Sequence, residues 1–227
     1  MIALLDGDIF CYRVGFSSQD VSEKYAKARM NEFLVDLLTL YLEIDEYEGF
    51  LSGDVNFRSK VAVTAPYKGN RSAEKPIHFH ALRRYLVDEW GFTTSDGQEA
   101  DDDIAIRATE LGDDAVIVSI DKDFDQVPGH KYNFVKRKSY YVSPSDGLHS
   151  FYTQILTGDR IDNIIGLRGV GPVKAGRLLE GCTTEQECYA KVLEAYGGDS
   201  ERVLENGRLL WLRRRPNELW EPPRMGS

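Results

Sequence analysis

Cysteine is scarce in this chain: Cys11, Cys182 and Cys188 are the only three in 227 residues. An odd number with no C-x-x-C pair excludes a disulfide framework and a zinc finger, and fits unpaired thiols in a reducing compartment. Two of the four histidines, His78 and His80, lie two apart in a helical stretch and so do not share a face that could hold a metal. Apolar runs are all much too short to span a bilayer. The start MIALLDGD has neither a basic flank nor a small-residue cleavage site, so it reads as a buried strand and not as a signal peptide. These absences lead to an expectation of a cytoplasmic, non-membrane protein. There is no internal repeat and no low-complexity segment. Positive charge is also in deficit, 28 Lys and Arg against 37 Asp and Glu for a net charge of -9. That balance would ordinarily argue against a nucleic-acid partner. With 42% hydrophobic residues the chain can bury a core.

Carboxylates are what the chain has in surplus, and they are not scattered. Nine of them, Asp6, Asp54, Glu99, Asp101, Asp102, Asp121, Asp123, Asp159 and Asp162, sit in the strings LLDGD, LSGD, EADDD, IDKDFD and GDRIDN. Each string ends an apolar run or begins a helical pattern, where an α/β domain presents side chains to a shared crevice. Nine equals the acidic excess, so the remainder of the chain is neutral and the field is bipolar, an acidic pocket with separate basic patches. Like charges gathered in one place need cations. An oxygen-only donor set favours Mg²⁺ or Mn²⁺ over Zn²⁺, and a carboxylate-held ion pair is a common device for cleaving phosphodiesters.

The periodicity predicts strands at 2–6, 49–54 and 114–121 and two short strands, possibly a hairpin, at 131–135 and 138–142, with a short strand or extended loop at 59–66. It predicts helices at 22–44, at 76–90 with Pro76 at its start, and at 99–111 closed by Gly112. Beyond about 148 only short helices are expected, at 149–157, 160–165, 172–180, 184–196 and 200–214. Strands alternating with helices imply a mostly parallel central sheet flanked by helices. The domain reading is an α/β core over 1–147 and a helical region over 148–227 packed with it as one compact unit.

Each acid has a plain structural alternative. A lone Asp ending a strand, such as Asp6 or Asp54, is most often a cap for the next helix or turn. Asp8 is closer still to that role. Acids in the first turn of a helix favour its dipole; a cap needs one acid, however, and EADDD offers four, of which Asp103 is assigned to the dipole and solvent. Glu99 and Asp102 are i,i+3 neighbours. In an extended segment Asp121 and Asp123 would share a face, and Asp125 would either join them or simply face water. The most specific string is GDRIDNIIGLRGVGPVKAGRLL: Asp159 and Asp162 on one helix face, Gly166, Gly169 and Gly171 in a tight turn, then Pro172 opening a helix that carries Lys174 and Arg177. Helix, glycine-rich hairpin and helix together grip phosphates through backbone N–H groups and basic side chains. Elsewhere Arg58, Lys60, Lys68, Arg71, Lys75, Arg83 and Arg84 cluster in the first half, Lys136–Lys138 read as a hairpin tip touching duplex, and Arg213–Arg215 read as a helix C-terminal charge run or a DNA contact.

Taken in order, LLDGD, LSGDVNFR, YKGNR, EADD, DKDFDQ and GDRIDNIIGLRGVG resemble the 5′-nuclease superfamily, which includes flap endonucleases, the 5′-nuclease domain of bacterial DNA polymerase I and bacteriophage 5′-3′ exonucleases. The resemblance covers Met1 to about Leu179 and is nearest in style and size to the phage enzymes. It implies a PIN-like α/β nuclease fold with a helix-three-turn-helix DNA-binding motif and a short helical arch over about 67–98. It implies two Mg²⁺ ions, with Mn²⁺ able to substitute: Asp6, Asp54, Glu99, Asp101 and Asp102 at the first, Asp121, Asp123, Asp159 and Asp162 at the second, directly or through water. Lys68 and Arg71 would contact the scissile phosphate, with Asp101 and Asp121 counted among the catalytic groups, and Tyr67 would stack a base at the 5′ end. The carbonyls of Gly166–Gly171 would bind K⁺ beside the DNA backbone. The implied activity is a 5′-3′ exodeoxyribonuclease with structure-specific flap endonuclease activity, in replication or primer removal. The substrates would be DNA with 5′ ends, nicks or flaps, and RNA–DNA hybrid. The implied setting is a monomer in a bacterial or phage-infected cytoplasm, working with replication proteins. Two other readings of the acidic site are a PIN-like ribonuclease, which lacks the GDRIDN–hairpin unit, and a non-catalytic duplex-binding protein, which would gain nothing from an anionic pocket.

Overall fold

The computed structural model describes residues 1–70 and 74–224. Its Cα packing divides the chain into two units: Met1–Asn56, Ala73–Phe124 and Gly129–Tyr141 form the first, and Phe57–Ser72, Asp125–Pro128 and Val142–Ser227 the second. Residues 57–70 and 125–128 belong with the carboxy-terminal helices.

The first unit is built on a six-stranded sheet of β1 (Ile2–Asp6), β2 (Tyr47–Leu51), β3 (Thr93–Thr94), β4 (Ala115–Val118), β5 (Gly129–Asn133) and β6 (Lys138–Val142), in the order β3-β2-β1-β4-β5-β6. β1 pairs in parallel with both β2 and β4, β2 with β3, and β4 with β5. Every residue of AVIV in β4 is buried, as expected for a parallel strand covered on both faces. Ala3, Leu5, Val116 and Val118 share one core with Phe10, Cys11 and Val14 of α1 (Gly7–Phe16), Met30 and Leu34 of α2 (Glu23–Asp36), and Phe79, Leu82 and Leu86 of α4 (Phe79–Trp90). The alternate residues Leu4 and Ile117, paired in register, point to the other face, where α5 (Ala100–Leu111) packs on β1, β2 and β4.

The second unit packs α6 (Pro144–Thr157), α7 (Pro172–Leu178), α8 (Glu185–Ala195) and α9 (Ser200–Leu210) around Phe151, Tyr152, Ile155, Ala175, Val192, Val203 and Trp220. It also holds α3 (Arg58–Val61) and a two-stranded antiparallel hairpin, β7 (Gly158–Asp159) with β8 (Ile164–Ile165).

Several local expectations are corrected. Residues 7–16, to which the periodicity assigns nothing, form α1, capped by the Asp6 carboxylate. The helix over 22–44 relaxes into a π-helical turn at Leu37–Leu42 and ends at Glu43, whose φ is 54°. Pro76 precedes α4 by a turn and does not open it. Residues 59–61 belong to α3 and 62–66 form a loop, so of the two alternatives the loop and not the strand is found. The helix over 200–214 stops at Leu210.

The most consequential change is at 160–165, which is hairpin and not helix, so Asp159 and Asp162 do not share a helix face. Gly158 (φ +67°) ends α6, and a Cβ there would meet the Gly166 nitrogen at 2.3 Å. Asp159 Oδ1 then accepts the amides of Ile161 (2.6 Å) and Asp162 (3.4 Å), an Asx turn that diverts the backbone from helical bonding.

Candidate active site

With order 3-2-1-4-5, the chain direction across the sheet switches between β1 and β4, and the crevice beyond the carboxyl ends of such strands is the usual ligand site of open α/β sheets. Asp6 ends β1 and Asp121 lies three residues past β4, so the two flank the switch point.

Hydrogen bonds chain them together. The Ser119 hydroxyl donates to Asp6 Oδ2 (2.7 Å), the Asp121 amide donates to Ser119 Oγ (3.0 Å), and the Asp123 amide donates to Asp121 Oδ1 (2.9 Å). Asp123 lies in the 3₁₀ turn Lys122–Gln126, so the pair is set by a turn and not by a shared face of an extended strand. Asp6 also accepts the Ile9 amide at 3.2 Å, so the cap reading holds for this carboxylate.

Glu99 and Asp102 form a reciprocal capping box at the start of α5, with Asp102 wholly buried and Asp101 half-buried beside it. Asp103 is not left to solvent, since the Gln98 amide bonds it. Asp54 is exposed, three residues past β2.

Asp8 belongs to a network that the sequence does not reveal. Its Oδ2 accepts the Ser52 amide (2.8 Å), and its Oδ1 pairs with Arg83, whose guanidinium also donates to the Ser52 carbonyl. Ser52 Oγ in turn accepts the Ala100 amide at 3.0 Å. This knot joins α1, the loop that carries Asp54, and the start of the helix that carries Glu99 to Asp102. The basic cluster of the first half contains Arg83, but nothing in the spacing pairs it with Asp8, and Ser52 and Ser119 carry no signal of their own.

Every donor of this group is oxygen, as hard divalent cations prefer. Among the described residues no three His, Cys, Asp or Glu side chains are already gathered to hold one ion. Burial pushes the Asp6 carboxyl up to about 7; the Ser119 hydroxyl opposes this, while Asp8 and then Asp121 add to it. A carboxylate so placed becomes an anion at neutral pH most readily when a cation comes to it, which fits the oxygen donor set.

The raised value sets a pH dependence. Asp6 binds its proton more tightly in the folded than in the unfolded chain, so its contribution favours folding in acid and is lost as pH rises from about 4 to about 7. In EDTA, the unfolding midpoint of Asp6→Asn is expected to lack that part of the decline. Identical profiles for variant and wild type would exclude Asp6 as its source.

In the second unit Lys68 and Asp162 come together. The Tyr67 hydroxyl donates to Asp162 Oδ2 at 2.7 Å, and Lys68 Nζ lies 3.7 Å from the same oxygen. Lys68 Nζ is also 5.0 Å from the centre of the Tyr67 ring. Arg71 lies outside the described residues. Gly166 approaches its own chain, since a Cβ there would meet the Thr157 carbonyl carbon at 2.2 Å; Gly169 (φ +75°) and Gly171 face open space. Lys174 and Arg177 of α7 are exposed, as is Arg168 between the glycines, a further cation that the motif's basic pair leaves out although its position is legible.

Arg58 and Arg213–Arg215 correct two basic patches. Arg58 is 1% exposed and bonds the end of α9. Arg213, also buried, lies 3.8 Å over the Phe57 ring, beyond the helix whose end the charge run implied.

No family model matches the chain. Its fold is that of a phage 5′-exonuclease. The D15 protein of bacteriophage T5, crystallised with metal ions, superposes with a TM-score of 0.71 at 20% identity over 92% of this chain and 88% of that one. In sequence the chain is 35% identical over 132 residues to DNA polymerase I of Rhizobium leguminosarum, covering 50% of this chain. It is 31% identical over 143 residues to the flap endonuclease Xni of Shewanella sediminis, covering 56% of this chain. It spans 13% of the length of that polymerase and 54% of that endonuclease. The resemblance to the 5′-nuclease superfamily carried by the motifs is borne out by both fold and sequence. Among the described residues no helix is long and apolar enough to cross a membrane.

Proposed function

We propose that this protein is a Mg²⁺-dependent 5′-3′ exodeoxyribonuclease with flap endonuclease activity. The observation that supports it best is the Asp6–Ser119–Asp121 chain at the switch point of a sheet whose fold is that of a phage 5′-exonuclease.

Asp6, Asp54, Glu99, Asp101 and Asp102 are the proposed holders of one ion, and Asp121 and Asp123 of a second, with Asp159 and Asp162 as the resemblance implies. Bound there, Mg²⁺ or Mn²⁺ would lower the pKa of the attacking water and stabilise the leaving 3′ oxygen. Ser119 and the Ser52–Asp8–Arg83 knot hold the carboxylates in place. Lys68, with Arg71, would offset charge on the scissile phosphate, and Tyr67 would stack a terminal base. Lys174 and Arg177 would grip the duplex backbone beside Gly166, Gly169 and Gly171, whose carbonyls would also take K⁺. Primer removal, with RNA–DNA hybrid as a second substrate, replication proteins as partners and a phage source, completes the proposal.

Four 5′-labelled substrates test it: blunt duplex, nicked duplex, a free-ended flap and a flap blocked at its 5′ end. Short labelled products in Mg²⁺ are expected from the free-ended substrates, and intact label on all four would refute the reading. Lys174→Ala with Arg177→Ala should weaken duplex binding and lower the slope of log K against log salt by about 2, one for each phosphate no longer neutralised. An unchanged slope would remove this helix as the grip.

A further inference from the structure

The segment 66–70 is fastened to the turn 160–163 by a reciprocal clasp within the second unit. At its centre the Lys68 amide donates to the Asp162 carbonyl at 2.9 Å. On one side the Asn163 side-chain amide donates to the Pro66 carbonyl at 2.9 Å, and on the other the Asn70 side-chain amide donates to the Arg160 carbonyl at 2.7 Å. Each segment thus lends one asparagine amide to the backbone of the other, on either side of Lys68 and Asp162.

Two residues in the clasp hold left-handed backbone, Lys68 at φ 55° and Asn163 at φ 61°. Asparagine tolerates this conformation; lysine gains nothing from it and adopts it only where its surroundings require it. The clasp supplies that requirement, because the Pro66 carbonyl before Lys68 and the Asn70 side chain after it are both tied down. Neither asparagine belongs to the hydrophobic core: Asn70 and Asn163 are both exposed enough to meet solvent.

We infer that Asn70 and Asn163 are positioning residues of the nuclease: by locking segment 66–70 onto the acidic turn they hold the Lys68 ammonium beside the Asp162 carboxylate, where the reacting phosphate is met. The inference rests on the proposed function and adds to it two residues whose task is geometric. Neither is expected to touch substrate.

Asn163→Gly removes the amide and leaves the left-handed backbone without strain. Asn163→Asp keeps the turn preference and sets an oxygen against the Pro66 carbonyl. Asn70→Ala removes the opposite amide. The measurement is steady-state cleavage of a 5′-labelled flap in Mg²⁺ by these variants, by the double change Asn70→Ala with Asn163→Gly, and by each of them in a Lys68→Ala background.

The double change should lower kcat by about 10- to 100-fold, the scale of an ångström-sized misplacement, with KM within about two-fold of wild type. Its melting temperature should stay within about 4 °C of wild type. In the Lys68→Ala background the asparagine changes should cost almost nothing further, since they act through that lysine. A loose loop with a purely structural part would instead show equal losses in both backgrounds, which overturns the inference, as does wild-type kcat in the double variant. If wild type itself cuts no substrate, the nuclease reading falls and the clasp falls with it; wild-type cleavage with indifferent asparagines sinks the clasp alone.

Discussion

Asp121→Asn is expected to lower the cleavage rate by at least about 10³-fold, the loss of roughly 4 kcal/mol of charge stabilisation, while duplex binding is kept or tightened. The substitution changes charge and almost nothing else. The Asp121 amide still donates to Ser119 Oγ, and an asparagine Oδ1 can still accept the Asp123 amide that bonds there at 2.9 Å. The turn after β4 therefore survives, and any lost rate belongs to the missing carboxylate. Binding should not fall, because one negative charge fewer faces the phosphates. Asp101→Ala, in the first turn of α5, carries the same expectation. Single-turnover rates in Mg²⁺ beside binding in EDTA separate the two effects, and near-normal rates for Asp121→Asn would remove Asp121 from the metal group.

Arg58→Ala should destabilise the protein by about 3–5 kcal/mol. A helix leaves its last carbonyls without partners. At the end of α9 the Leu209 carbonyl accepts from Arg58 Nε and the Trp211 carbonyl from Arg58 Nη2, both at 2.8 Å, and the guanidinium lies 4.7 Å over the Phe57 ring. Alanine strands two carbonyls, each worth about 1–3 kcal/mol when buried and unpaired, removes a cation from the negative end of the helix, and leaves a hole. The melting temperature should drop by about 10 °C. Arg58→Lys keeps the charge but lacks the fork, and should recover only part of the loss. Lys60→Ala, an exposed neighbour, should stay within about 0.5 kcal/mol. A melting curve for Arg58→Ala that overlays wild type would show that α9 does not depend on this cap.

These contrasts show what a sequence can carry. β1 is legible to the residue, because IALLD is an apolar run closed by a charge. So are Glu99 at the head of α5 and Gly112 behind it. The sheet class follows from alternation, and the row of acids at strand ends follows from the sheet class. What cannot be read depends on partners distant along the chain. Arg58 sits in a basic stretch like any surface cation, and only its bonds to Leu209 and Trp211, some 150 residues away, bury it. α9 stops short of the expected 214 for the same kind of reason: Gln126 takes the Leu210 carbonyl and the Leu212 amide, two groups that helical continuation would have used. The hairpin at 158–165 escapes the periodicity because Asp159 and Asn163 look like helix-surface residues, whereas one captures amides and the other adopts left-handed backbone.

The carboxylates at these strand ends are the proposed seat of a metal-dependent 5′ nuclease activity. Its most direct test is one free-ended flap substrate, labelled at the 5′ end and incubated with the protein in Mg²⁺ and, in parallel, in EDTA. Short labelled, 5′-phosphorylated products in Mg²⁺ and intact substrate in EDTA are the predicted result. Equal cleavage in EDTA, or no cleavage in Mg²⁺ by protein that binds the flap, would contradict it.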